Sequence, residues 1–156
     1  RIGYIAAPKA IVSACNKIQG QYTSGICTIA QAASLEAVKM SPENSEEIQT
    51  MLKAFRNRRD MFFELLSEIP GMKLSKPAGA FYMFPEIKSY FGKTDGETTI
   101  NNSNELCLYL LDKAHVACVA GDAFGNDECI RLSYATSEDK LREAAARIKK
   151  ALSKLK

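Results

Sequence analysis

Cys129-Ile-Arg-Leu-Ser-Tyr-Ala135 carries the clearest structural signal in the chain, because apolar and polar side chains alternate along it. This period of two predicts a β-strand with one buried face, formed by Ile130, Leu132 and Tyr134. Arg131 then points to the opposite face. A guanidinium offers paired donors that match a carboxylate or a phosphate, and it stays charged at any working pH. Arg131 is therefore a candidate anion-binding residue, although its spacing alone is more typical of a solvent-exposed arginine at a sheet edge.

Three other segments precede this strand in a distinctive order: Arg1-Ile-Gly-Tyr-Ile-Ala-Ala-Pro8, Pro77-Ala-Gly-Ala-Phe-Tyr-Met-Phe84 and Ala120-Gly-Asp-Ala-Phe-Gly125. Together with the strand, they closely resemble the C-terminal half of class I and II aminotransferases, the fold type I enzymes that use pyridoxal 5′-phosphate (PLP). The resemblance covers essentially all 156 residues. Within that family, the stretches RIGYIAAP, PAGAFYMF and IRLSYATS are most similar to bacterial aspartate aminotransferase-like enzymes.

The composition is that of an ordinary soluble domain, with 46% hydrophobic and 25% charged residues. No apolar run is long enough to span a bilayer. The formal net charge is only +3, and the basic residues are scattered instead of forming a run with interleaved aromatics. We therefore expect a cytoplasmic protein without a membrane or nucleic-acid partner.

The cysteines and the single histidine do not suggest a metal centre or a disulfide framework. The five cysteines form no C-x-x-C pair, and four have apolar neighbours, which predicts reduced thiols in the core. They are Cys15, Cys27, Cys107, Cys118 and Cys129. His115 stands near the end of a predicted helix with no second ligand at a useful spacing. We therefore expect no metal site and a helix-end role for His115.

The order of elements predicts an α/β chain in which residues 1–44 end a large domain and residues 45–156 form a small α+β domain. Helices are predicted from Pro8 to about Ile18, over residues 28–39, and from Ser41-Pro42 to Ile69 as a bridging helix. Two more are predicted over residues 103–115 and after the capping box at residues 136–139. Residues 116–119 are predicted to form a short strand, and residues 91–102 a polar surface loop.

A hairpin is also predicted, with strands at residues 72–75 and 80–84 around Pro77-Ala78-Gly79, where the glycine permits a positive φ. Phe81, Tyr82 and Phe84 are candidates for the wall of a substrate pocket, although aromatic residues that alternate in a hairpin are more often core. The chain also starts without a methionine, on what reads as the middle of a strand, so we expect a fragment with an apolar face.

PLP chemistry requires a lysine that forms a Schiff base, an acid partner for the pyridine nitrogen, a phosphate anchor and a grip on the substrate carboxylate. The resemblance implies that this chain supplies only the last two. In the family, the lysine lies about eight residues before the arginine that matches Arg1, so it would precede this chain. We therefore expect no catalytic residue here, and no transamination by these 156 residues alone.

The resemblance also assigns the binding residues. Arg131 would pair with the α-carboxylate of the amino-acid substrate, and Arg1 would help to hold the cofactor phosphate. Tyr22, Thr23 and Ser24 match a segment that reaches across a homodimer interface towards the partner's cofactor phosphate. Arg1 as an exposed terminal charge, and residues 22–24 as an ordinary turn, are the simpler alternatives.

The implied activity is transfer of an amino group between an amino acid, with aspartate as first choice, and the 2-oxo acid 2-oxoglutarate. Gln19 leaves dicarboxylate preference open, because one branch of the aspartate enzymes carries an arginine there. A PLP-dependent β-lyase or another aminotransferase is the alternative within the fold. A non-catalytic ligand-binding or dimerisation module is the alternative outside catalysis.

Overall fold

The structure is a computed structural model that describes residues 2–156, so the predicted phosphate residue Arg1 lies outside the described residues. The chain divides into two compact units, with the boundary between Thr50 and Met51. The sequence-based assignment of residues 1–44 and 45–156 to a large and a small domain stays a prediction. No helix within residues 2–156 combines the length and the apolar character that a membrane span requires.

The first unit contains helix α1 (Lys9–Tyr22) and helix α2 (Thr28–Lys39). α1 begins at Lys9, one residue after the predicted start at Pro8, and it continues past Ile18 because Gly20 is accommodated within the helix. A single glycine costs a helix only about 1 kcal/mol, which is too little to end it. Neither helix contains a buried residue. α2 forms where predicted, and its alanines therefore lie outside the buried core of this chain.

Helix α3 (Glu46–Ser67) follows a 3-10 turn at Pro42–Asn44 and crosses the boundary between the units. The second unit continues with strand β1 (Tyr82–Met83), helix α4 (Ser103–Ala114), strand β2 (Val119–Ala120), strand β3 (Ile130–Ser133) and helix α5 (Glu138–Leu152). The three strands form an antiparallel sheet in the order β1-β3-β2. β3 is thus the central strand. It pairs Leu132 with Met83 and Arg131 with Val119.

The predicted hairpin is wrong. β1 pairs with β3, while residues 72–75 contribute only a bridge between Lys73 and Glu86. The residue in the left-handed region is Ala80, with φ 59°, and not Gly79. A long-range ladder to the buried central strand replaces the local pairing, and residue periodicity does not reveal which strand is the partner. The predicted surface loop at 91–102 also contains Ile100, which is fully buried.

The hydrophobic core lies in the second unit, between α3, α4, α5 and the sheet. Ile130, Leu132 and Tyr134 are buried, which confirms the predicted inner face of β3. α5 buries one apolar stripe against this core, formed by Leu141, Ala145, Ile148 and Leu152, and Leu155 just after the helix is buried as well. α5 is capped by the Ser137 hydroxyl, which accepts a hydrogen bond from the Lys140 amide.

Candidate functional site

Arg131 lies in the middle of the central strand, between the buried side chains of Ile130 and Leu132. Its own side chain is half-buried. Within residues 2–156, Arg131 makes no ion pair with a carboxylate. The strand therefore presents a guanidinium whose charge is not neutralised by the described residues.

Two aromatic rings hold this guanidinium. The Cζ atom of Arg131 lies 4.3 Å from the centroid of the Tyr82 ring and 4.3 Å from the centroid of the Phe124 ring. Tyr82 reaches it from β1, and Phe124 from the turn after β2. Each cation–π contact is worth about 0.5–2 kcal/mol. An aromatic ring face contributes no oxygen acceptor. These two contacts therefore leave the N–H donors of the guanidinium available for an anion.

The turn that carries Phe124 is tightly built. Residues Gly121–Phe124 form a 3-10 turn, and the Gly121 amide donates a hydrogen bond of 2.9 Å to the Cys129 carbonyl. A Cβ atom on Gly121 would collide with the carbonyl oxygens of Asn126 and Cys129. Phe84 packs edge-on against Phe124, at 6.1 Å between centroids. The backbone therefore requires glycine at the start of the turn that positions Phe124.

The segment leading to Tyr82 is anchored on both sides. The Tyr134 hydroxyl donates a hydrogen bond of 2.9 Å to the Ala80 carbonyl. On α3, Asp60 accepts hydrogen bonds from Arg59 at 2.8 Å and from Lys76 at 2.9 Å. These bonds lower the pKa of the Asp60 carboxyl to about 2. Arg59 also donates to the Pro77 carbonyl at 3.4 Å, so α3 contacts the start of the segment.

The predicted phosphate-binding turn belongs to the first unit. Tyr22 ends α1 with 86% of its surface exposed, and Thr23 caps the helix, its amide donating to the Gln19 carbonyl at 3.0 Å. The Thr23 hydroxyl is also hydrogen-bonded to the Gln19 side-chain amide. Ser24 adopts a left-handed conformation with φ 61°. Residues 22–24 thus form a turn with three consecutive hydroxyl groups.

A cavity of about 590 Å³ lies beside this turn, within the first unit. Its polar lining includes Gln19, Ser24 and Gln31, and its apolar lining includes Tyr4 and Leu35. Gln19 is neutral and already bonded to Thr23. The described lining thus offers neutral hydrogen-bond donors to a ligand.

Three phenylalanines differ from what the sequence predicts about their roles or their burial. Phe124 received no role, although it stands in the segment 120–125 that contributes to the family resemblance. Phe81 and Phe84 are 39% and 40% exposed, so the core interpretation is wrong for both. The buried residue of β1 is Met83, whose Cα pairs with that of the buried Leu132 on β3.

The thiols and the histidine are only partly as predicted. Cys107 and Cys129 are buried and Cys118 is half-buried, but Cys15 and Cys27 are exposed, because α1 and its following turn pack against little in this chain. His115 ends α4 in the left-handed conformation, with φ 53°, which confirms its helix-end position. No group of three or more metal-ligating side chains occurs within residues 2–156.

Comparison with known proteins identifies the family. The profile of the family "Aminotransferase class I and II" matches residues 1–148. The chain belongs to this family. Class I and II aminotransferases are PLP-dependent enzymes of fold type I, so the predicted family and fold class are confirmed.

Individual relatives agree with this assignment. The chain is 53% identical to the "Bifunctional aspartate aminotransferase and glutamate/aspartate-prephenate aminotransferase" of Petunia hybrida, over 100% of the chain and 33% of that protein. It is 43% identical to a "Probable aspartate/prephenate aminotransferase" of Aquifex aeolicus, over 99% of the chain and 38% of that protein. This aminotransferase family member therefore spans between a third and two fifths of these relatives.

Solved structures give the same fold. The crystal structure of the aspartate aminotransferase from Rhizobium meliloti superposes with a TM-score of 0.82 and 37% identity, over 96% of this chain and 37% of that one. An aspartate aminotransferase variant of Thermus thermophilus superposes with a TM-score of 0.74 and 34% identity, over 92% and 37%.

Proposed function

We propose that this aminotransferase chain is the C-terminal part of a longer PLP-dependent enzyme that transfers an amino group between aspartate and a 2-oxo acid, with 2-oxoglutarate as first choice. The observation that carries the proposal is Arg131, held on the central strand between the rings of Tyr82 and Phe124. The names of the relatives support aspartate as amino donor.

In this proposal, Arg131 binds the α-carboxylate of the amino acid through two parallel hydrogen bonds. Such a charge-assisted pair contributes on the order of 1.5–3 kcal/mol to binding. Its larger effect is orientation, because a fixed carboxylate also fixes the direction of the Cα–H bond from which the proton leaves. The two rings restrict the guanidinium before the substrate binds and so reduce the entropy lost on binding.

The chemistry of the turn at residues 22–24 supports a role in phosphate binding, because its hydroxyls are neutral donors and Tyr22 is exposed. We propose that Arg1 helps to hold the phosphate of PLP, and that Tyr22, Thr23 and Ser24 reach across a homodimer interface towards the phosphate of the partner's PLP. When bound, PLP acts as an electron sink for the substrate Cα. No lysine of this chain stands in the family's Schiff-base context, so we propose that a preceding part of the enzyme supplies it.

A second candidate acceptor is prephenate. The relatives from Petunia hybrida and Aquifex aeolicus carry it in their names. Like 2-oxoglutarate, it is a 2-oxo acid with a second carboxylate, so the neutral Gln19 leaves both acceptors possible.

The test uses the full-length enzyme with aspartate as donor. Formation of oxaloacetate and of the aminated acceptor is measured with 2-oxoglutarate and with prephenate. In a parallel assay an S-alkylcysteine replaces aspartate, because a β-lyase needs a β-substituent that can leave, and pyruvate and ammonia are measured as its products. We expect oxaloacetate. Pyruvate and ammonia instead would establish the lyase alternative, and no turnover with any amino acid would support the non-catalytic module.

The role of Arg131 is tested in the same enzyme by Arg131→Lys. Lysine cannot form the paired hydrogen bonds, so we expect kcat/KM to fall about 100-fold. The unfolding free energy should fall by about 1–2 kcal/mol at most, because lysine keeps a cation near the two rings. Arg147→Lys is the matched control, because Arg147 is an exposed arginine paired only with Glu143. Equal activity of Arg131→Lys and the control would refute the role.

A further inference from the structure

Two thiols meet in the second unit at a place the proposed reaction does not use. Cys107 lies on α4, and Cys118 lies directly before β2. Their Sγ atoms are 3.3 Å apart, and the Cys118 thiol donates to the Cys107 sulfur. The two residues are adjacent in space because α4 packs against β2. The remaining thiols of the chain have no sulfur partner within the described residues.

The pair is accessible to a small reagent. Both cysteines line an open cavity of about 350 Å³ between α4 and β2. The rest of its lining is uncharged, with Leu108, Leu111 and Ala123 among it. Cys107 is 9% exposed, so a large reagent is excluded while a peroxide of water-like size can approach.

We propose that Cys107 and Cys118 form a redox modification site, at which hydrogen peroxide converts the dithiol into a disulfide between α4 and β2. The Cys107 thiolate attacks one peroxide oxygen, the O–O bond breaks, and the departing hydroxide is protonated to water. Cys107 is then a sulfenic acid. The Cys118 sulfur loses its proton and attacks the Cys107 sulfur, the S–O bond breaks, and a second water leaves. Two thiols and one peroxide thus give one disulfide and two waters.

The hydrogen bond between the sulfurs supports this order of events. Because the Cys118 thiol donates a hydrogen bond to the Cys107 sulfur, it stabilises the Cys107 thiolate and lowers the pKa of Cys107. The same hydrogen bond, together with burial, raises the pKa of Cys118. Cys107 is therefore the first nucleophile and Cys118 the resolving thiol. The separation needs to shorten by little more than 1 Å to reach the S–S bond length of about 2.05 Å.

The cysteine pair lies next to the strand that carries Arg131, because β2 pairs with β3 in the sheet. Cys118 directly precedes Val119, whose Cα pairs with that of Arg131 across β2 and β3. The disulfide would fix β2 to α4 next to this pair. The inference itself does not depend on the proposed amino transfer.

The test oxidises the 156-residue chain with a small molar excess of hydrogen peroxide and then alkylates the remaining thiols. Trypsin leaves Cys107 in the peptide 94–113, but it leaves Cys118 and Cys129 together in the peptide 114–131. A second digestion at acidic residues separates them, since Asp122, Asp127 and Glu128 lie between. We expect a linked Cys107–Cys118 peptide pair that is about 2 Da lighter than its two reduced parts. A dithiol reductant should restore both thiols.

Variants control the assignment. Cys129→Ser keeps the pair and should give the cross-link at the wild-type yield. Cys118→Ser lacks the resolving thiol, so it should instead leave Cys107 as a sulfenic acid, in a peptide about 16 Da heavier. The peptide map of the wild-type chain decides the question even where a variant folds poorly. Free, alkylated Cys107 and Cys118 under conditions that oxidise Cys15 and Cys27 would overturn the proposal. A bond from Cys118 to Cys129 would overturn it as well.

Discussion

At the scale of single residues, the described surroundings of Arg131 are aromatic. The guanidinium lies over Tyr82 and Phe124, and its strand neighbours Ile130 and Leu132 are buried. An arginine so placed loses little rotamer freedom when an anion binds, because the rings have already restricted it. The aromatic pair is therefore a positioning device for the proposed carboxylate grip.

Phe124→Leu tests this positioning in the full-length enzyme. The loss of one cation–π contact, about 1 kcal/mol, should raise the KM for aspartate about fivefold and leave kcat within about twofold. Phe91→Leu is the control, because Phe91 is a half-buried phenylalanine that packs against the core and not against Arg131 or Phe124. Steady-state kinetics at constant PLP measures both variants. An unchanged KM for Phe124→Leu, or equal rises in both variants, would contradict the positioning role.

Asp60 makes the unfolding free energy of the chain depend on pH in the acidic range. Hydrogen bonds from Arg59 and Lys76 lower its pKa from the usual 3.8 to about 2 in the folded chain. A depressed folded pKa means that the contribution is fully present above about pH 4 and is lost as the pH falls towards 2. In Asp60→Asn, this part of the pH dependence should be absent. Urea unfolding between pH 2 and 5 measures it, and Glu64→Gln on the exposed face of α3 is the control. Parallel curves for wild type and Asp60→Asn would contradict the prediction.

The strand and the outward direction of Arg131 could be predicted from the sequence, whereas its contacts with the Tyr82 and Phe124 rings could not. Alternation along residues 129–135 is a local property, so it correctly predicts Ile130, Leu132 and Tyr134 as buried. The ring of Phe124 reaches the guanidinium only because a turn folds back onto the central strand. Such a contact depends on tertiary geometry, which residue spacing does not contain.

At the scale of elements, the turn after β2 links backbone geometry to the site. Gly121 passes close to the carbonyls of Asn126 and Cys129, and Phe124 follows within the same turn. Gly121→Ala should therefore destabilise the chain by about 1–3 kcal/mol, because backbone atoms must move. Gly79→Ala is the control, since an added Cβ meets no atom there. Chemical unfolding measures both, and equal stability of the two variants would contradict the expected strain.

Helices were predictable to within a few residues, whereas strand pairing was not. The apolar residues Leu141, Ala145, Ile148 and Leu152 of α5 repeat at helical spacing, and all four are buried. The hairpin at 72–84 failed because Tyr82 and Met83 have their partners fifty residues further along the chain, on β3. The partner of β1 is determined by burial of Met83 and Leu132 in the same core. The local turn signal at Pro77-Ala78-Gly79 therefore predicts the wrong partner strand.

At the scale of the whole molecule, apolar burial is unevenly distributed. The buried hydrophobic residues within the described chain lie between Phe62 and Leu155, whereas α1 and α2 contain none. Both helices expose large apolar side chains, including Ile11, Ile18, Ile29 and Val38. Helices of 14 and 12 residues are marginally stable in water without tertiary packing. The two units should therefore differ strongly in local stability.

Amide hydrogen exchange on the 156-residue chain tests this difference. Amides of α4 and α5 should exchange at least about 100-fold more slowly than those of α1 and α2, because opening the core requires unfolding of the second unit. In the longer enzyme that we propose, other parts of the protein would cover the apolar side chains of α1 and α2, and their exchange should slow by a similar factor. Exchange measured by mass spectrometry at pH 7 resolves both segments. Equal protection of the four helices in the isolated chain would show that the first unit is stabilised without such cover, and the expectation of a complementary part for its apolar face would then fail.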